Sequence, residues 1–261
     1  MNQIERKDVL TPAQVGAILV ATFFLYTLFL LVTHLLDTYL ALLIGELLMV
    51  VPVLGFILLK KMPLLSTFRL RRISLRQVLM TLVLCLAVFV LTDELDRLIQ
   101  LVFPMPQSWV NALADFVNVT TWFETIMFIG AGVVVAGFAE EMLFRGIIQR
   151  TLETYREPAI AIVLSAVFFA LVHFNPWTTI QITILGIVLG YISWKSRSIL
   201  PAVLFHGLNN LFSFVVMNNT ERFAWYAGET HVHWMWIVAS ILLFYPAFKG
   251  FNQSCESREN T

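Results

Sequence analysis

Eight apolar runs, each long enough to cross or nearly cross a bilayer, constrain this chain more than any other feature. A spanning helix needs about 20 mostly apolar residues, because backbone groups in hydrocarbon must satisfy one another. By that rule the spans fall at 12–36, 38–59, 77–92, 119–142, 158–174, 178–194, 199–217 and 233–249. Charged residues make up only 13% of the chain and mean hydropathy is +0.80, whereas a soluble domain carries about a quarter charged residues. The expectation is an all-α fold, a polytopic bundle of about eight transmembrane helices forming one domain over residues 1–261.

Positive charge orients the spans. Of the 17 Lys and Arg residues, only Arg97 and Arg222 fall on one side. The other side holds the rest, including Arg6, Lys7, Arg258 and the loop "KKMPLLSTFRLRRISLRQ". That bias predicts a multi-pass protein with both termini cytoplasmic and the basic loop against anionic headgroups; the membrane expected is a bacterial cell membrane. Residues 93–116 are too polar to span and read as one amphipathic segment on the outer face, with Trp109 as an interfacial anchor. The equal count of 17 basic and 17 acidic residues argues against a nucleic-acid partner. Cys85 and Cys255 supply neither a disulfide framework nor a metal-binding pair.

Charge inside an apolar run is costly and therefore informative. In "GFAEEMLFRG", Glu141 and Arg145 are four apart and share a helix face, with the acid first. Glu140 lies about 100° round the helix, so the same arginine does not readily neutralise both. One carboxylate is structural and the other is left to face something else. The plainer alternative is that both only mark the end of a span. His173 closes the next run, and its numerical midpoint with Glu140 falls between Arg156 and Glu157, just before Pro158. An antiparallel pair turning there sets Glu140 and His173 at one height. His206 and Asn210, again four apart, share a face of a third helix; interhelical hydrogen bonding is their structural alternative.

A wet cavity lined by these four groups suits peptide hydrolysis. Glu140 with His173 could hold and deprotonate a water, and His206 with Asn210 could donate to the oxyanion. Glu140, His173 and His206 could instead hold a zinc ion, although H-E-x-x-H is absent, as is G-x-S-x-G for a serine nucleophile. One depth conflict stands: His173 lies deeper from its loop than His206, so the 143–157 hairpin must project or "FNPW" must turn back early.

The patterns E-E-x-x-x-R at 140–145, F-x-x-x-H at 169–173 and H-x-x-x-N at 206–210 resemble the three motifs of the CPBP family. That family comprises CAAX prenyl endopeptidases and bacteriocin-processing and immunity-type (Abi) membrane proteins. The resemblance covers roughly residues 119–215. It implies an eight-helix intramembrane protease acting on a membrane-bound or lipidated peptide. In that scheme Glu140 and His173 activate the water, His206 and Asn210 form the oxyanion site, and Glu141, Arg145 and Phe169 support it. No cofactor is expected, with zinc the alternative.

Two other functions stay open: a non-catalytic immunity or scaffolding protein on the same fold, and a proton-coupled transporter using Glu140 and His173 as a relay. Glu46, deep in the second span, reads as a structural hydrogen-bonding residue. Gly186 and Gly190 form G-x-x-x-G and predict close helix packing, within the bundle or in a homodimer.

Overall fold

The computed structural model describes residues 9–259 and contains ten helices; no strand occurs among these residues beyond the isolated antiparallel bridge Ala227–Val232. In chain order they are α1 (Pro12–Leu30), α2 (Thr38–Leu59), α3 (Leu64–Thr67), α4 (Leu75–Val102), α5 (Gln107–Val117), α6 (Trp122–Tyr155), α7 (Pro158–Leu171), α8 (Thr179–Ser196), α9 (Leu200–Met217) and α10 (Trp234–Glu259). Arg6 and Lys7, and the side chain of Arg258, lie outside the described residues. Local chemistry marks the starts. Thr11 with Gln14, Ser74 with Gln77 and Thr121 with Glu124 form capping boxes. Asp37 caps α2, and prolines open α1, α7 and α9.

Six helices, α1, α2, α4, α6, α9 and α10, are long and apolar enough to cross a membrane, so this is an integral membrane protein built as an all-α polytopic bundle. The two further expected spans are α7 and α8. With 14 residues, α7 reaches only about 21 Å, short of the roughly 30 Å of a bilayer core. The 18 residues of α8 are diluted by Thr179, Gln181, Thr183, Ser193 and Lys195. Large apolar side chains such as Phe23, Leu28, Leu242 and Trp234 are exposed, the outward-facing pattern that lipid tails accommodate.

The expected amphipathic segment at 93–116 is corrected by the structure. Its first ten residues continue α4 to Val102, and Trp109 belongs to the separate helix α5, its ring 5.2 Å from that of Trp177. The charges that argued against helix continuation have partners in the 218–233 loop. Tyr226 donates to Asp93 (2.9 Å), the Val232 N–H to Glu94 (2.8 Å) and Arg97 to the Gly228 carbonyl (3.0 Å). Burial, and then the Asp93 carboxylate beside it, push the Tyr226 phenol up from its ordinary value, which keeps it a donor.

The longest element, α6, has 34 residues and extends about 51 Å, so it outruns a bilayer core. It ends at Arg156–Glu157, where Pro158 starts α7. At the other end of α7 the chain reverses through Phe174, whose φ is +50°, into α8. The depth conflict is thereby resolved on both counts: the hairpin is long and α7 turns back early.

Candidate active site

The motif residues sit where α6, α7, α8 and α9 meet. Two stretches of α6, Ile129–Val135 and Met142–Gln149, are wound as wider π-turns on either side of Ala136–Glu141. Such turns divert carbonyls from the helical ladder. Two of these stretches' carbonyls accept from neighbouring helices: Gly132 from Asn210 Nδ2 on α9 (2.9 Å) and Phe144 from Ser165 Oγ on α7 (3.2 Å).

Small residues let α9 approach. A Cβ on Gly137 would meet the Gly207 backbone nitrogen at 3.3 Å, and one on Gly207 would meet the Val133 carbonyl oxygen at 3.0 Å. The close approach brings His206 to the glutamate pair. Its Nδ1 donates to Glu141 Oε1 at 2.9 Å, and Arg145 Nη1 donates to the same oxygen at 2.8 Å. Glu141 and Arg145 are fully buried. A buried charge is tolerated only when paired and hydrogen-bonded. Arg145 gains further support from its Nη2 bond to the Gly186 carbonyl (3.1 Å) and from lying 4.3 Å above the Phe169 ring centre.

Glu140 is different. It is buried, makes no side-chain hydrogen bond among the described residues, and its Oε2 lies 3.9 Å from His173 Nε2. That separation is too long for a direct hydrogen bond. The His173 ring is fixed from its far side, where Nδ1 donates to the Phe169 carbonyl at 2.7 Å. Because a carbonyl only accepts, this bond puts the proton on Nδ1 and leaves Nε2 facing Glu140. Phe169 thus orders the centre: its ring stands edge-on to those of His173 (4.9 Å) and His206 (5.6 Å) and beneath the Arg145 guanidinium.

Glu140, His173, His206, Glu141, Arg145 and Phe169 are therefore brought together. Asn210 is on the same helix as His206, but one amide N–H is spent on Gly132. For zinc, the test is convergence of donors. Among the described residues no three His, Cys, Asp or Glu side chains are grouped to hold a metal ion, and His206 turns Nδ1 to Glu141 rather than Glu140.

Two features escaped the sequence reading. Arg145 and Gln149, four apart on α6, donate to the carbonyls of Gly186 and Gly190, four apart on α8, at 3.1 and 3.0 Å. The G-x-x-x-G pair is thus used inside the bundle; a Cβ on Gly186 would meet Ala166 of α7 at 3.0 Å. The matched spacing of four in both helices was the available signal. Glu46 was read as a hydrogen-bonding residue, yet its Oε2 is buried with no partner.

The fold and this centre define a class: an integral membrane helical bundle with a buried carboxylate, Glu140, facing a more exposed histidine, His173. Residues 121–212, spanning α6 to the middle of α9, match the family model of type II CAAX prenyl endopeptidases, Rce1-like. The match agrees with the CPBP resemblance of the three motifs and is to a family of membrane proteases. No curated protein and no solved structure matches the chain.

Proposed function

We propose that this protein is an intramembrane endopeptidase that cleaves a membrane-associated or lipid-modified peptide, using a water activated by Glu140 and His173. The observation carrying the reading is the division of labour between adjacent glutamates. Glu141 is committed to Arg145 and His206, while Glu140 has no hydrogen bond and faces His173 Nε2 across 3.9 Å. Two fixed acceptors at that spacing suit one water that donates a hydrogen to each.

In the reaction, the water oxygen attacks the peptide carbonyl carbon and its proton passes to Glu140. The tetrahedral oxyanion accepts from the second Asn210 amide N–H and from His206 Nε2–H, the imidazolium being paired with Glu141. Collapse breaks the C–N bond, and Glu140 returns the proton to the departing amine. The distribution of Lys and Arg supports cytoplasmic termini.

The test is cleavage of an internally quenched prenylated peptide by purified protein, beside terminal-peptide proteomics of membranes carrying wild type or Glu140→Gln. Cleavage and product termini that vanish in the variant support the reading. Retained cleavage by folded Glu140→Gln overturns it. Identical termini in both membranes would favour the non-catalytic immunity or scaffolding role. Metal analysis of the active preparation decides the zinc alternative: one zinc per chain lost together with activity would recast Glu140 and His173 as ligands.

A further inference from the structure

At the end of the bundle away from α5, four segments converge on a cavity of about 300 Å³: Val9 ahead of α1, the loop after α3, the last turns of α6 with the start of α7, and the end of α8 with the α8–α9 turn. Its lining includes Arg69, Arg71, Arg150 and Arg197, with Glu153 as the one carboxylate among the described residues. Glu153 is occupied, because Arg69 grips both of its oxygens. The segments are tied to one another independently of the cavity. Arg150 donates to the carbonyls of Ser66 and Thr67, Ser198 Oγ donates to the Arg71 carbonyl (2.7 Å), and the Ile199 N–H donates to the Arg69 carbonyl (3.1 Å). The backbone of the wall is therefore fixed, and the exposed Arg71 and Arg197 side chains project from it.

Backbone conformation gives a second, independent sign. Four non-glycine residues have positive φ among those described, and two of them, Arg69 and Arg197 (both +53°), line this one cavity. A left-handed conformation costs a non-glycine residue roughly 1–2 kcal/mol. Both sit where a helix ends, Arg197 capping α8 and Arg69 following α3, so the stops of two helices fix the backbone from which these side chains project. Pro158, which opens the 14-residue helix α7, also lines the cavity, and no side chain caps that helix start. Its free N–H groups and dipole favour an anion there. Trp194 also lines the wall, a residue type enriched where membrane meets water.

We propose that this cavity binds a phosphate-bearing anion, namely the headgroup of an acidic phospholipid. Guanidinium forks match phosphate oxygens in pairs, and the volume sits at the small end of ligand pockets, about 300–1,000 Å³. The site is separate from Glu140 and His173 and goes beyond the hydrolytic reading, so lipid binding does not depend on catalysis.

The test uses the full chain in nanodiscs of phosphatidylcholine doped with phosphatidylglycerol, with bound lipid read by native mass spectrometry. Wild type should retain phosphatidylglycerol over phosphatidylcholine by on the order of tenfold. Arg71→Gln with Arg197→Asn should abolish that preference; both side chains are exposed, and asparagine tolerates the left-handed backbone. Arg71→Gln alone, which leaves the turn untouched, should reduce it. Lys60→Gln with Lys61→Gln, in the same basic loop but outside the lining, should leave it intact. Equal loss in the lysine variant would show diffuse surface attraction and overturn the pocket, as would unchanged preference in the arginine variants. Displacement by millimolar inorganic phosphate, without lipid preference, would overturn the lipid assignment and leave a free phosphate as the occupant.

Discussion

Where α4 meets α10, the helices are joined mainly by small and apolar side chains; where α6 meets α9, they are joined by charge. The first contact holds Leu84, Cys85, Val88, Ala247 and Phe251, with Gln77 and Cys255 bonded at one end (3.3 Å). The second buries Glu140, Glu141, Arg145 and His206. Both contacts require glycine, but for different neighbours. A Cβ on Gly250 would meet the Met80 sulfur at 2.6 Å, the far end of a flexible side chain, while one on Gly207 would meet backbone oxygen. Lipid tails are as apolar as leucine, so helix pairs associate through packing and hydrogen bonds. The α4–α10 pair needs nothing more. The polar centre is costlier to assemble, and its Glu140 Oε2 has no hydrogen-bond partner to offset the cost of burial.

This contrast can be broken by substitution. The largest expected effect is on catalysis: Glu140→Gln should lower turnover by about 10²–10⁴-fold while the thermal midpoint stays put, since no hydrogen bond is lost. Coupled peptide-cleavage and melting measurements check it. Next, Arg145→Met should destabilise the fold by about 3–5 kcal/mol, because Glu141 is left charged and buried; adding Glu141→Gln should recover part of the loss in unfolding experiments. Gly207→Ala should cost about 1–3 kcal/mol and lower activity, because α9 must move off α6 or strain against it. The smallest effect belongs to the apolar pair. Gly250→Ala should cost less than about 1 kcal/mol, since methionine repacks readily, and leave cleavage unchanged. Equal penalties at Gly207 and Gly250 would erase the distinction between the two contacts.

Some element ends were legible where a local device set them: α2 begins and ends at its predicted residues, capped by Asp37, and α7 begins at Pro158, whereas α4 and α6 start at 75 and 122 rather than 77 and 119 despite their capping boxes. The reading failed at α4, because Asp93, Glu94 and Arg97 look like a helix end until their partners some 130 residues later are in place. Periodicity reports local faces and is blind to such partners. The same limit hid the pairing of Gln149 with Gly190. The placement of Glu140 opposite His173 was readable, since both lie on one hairpin about a proline-marked turn and helical rise carries them to one height.

Sequence alone determined that this chain is an integral membrane helical bundle, because apolar length and scarce charge leave the backbone no other way to satisfy itself in hydrocarbon. It also set Glu141 against Arg145, since four residues make one helical turn. Only the tertiary structure decided that His206 joins Glu141 rather than Glu140, that α7 stops short, and that the two α8 glycines serve α6. Those outcomes depend on how closely separate helices approach and where a helix widens to free a carbonyl, and neither is encoded in a local run of residues.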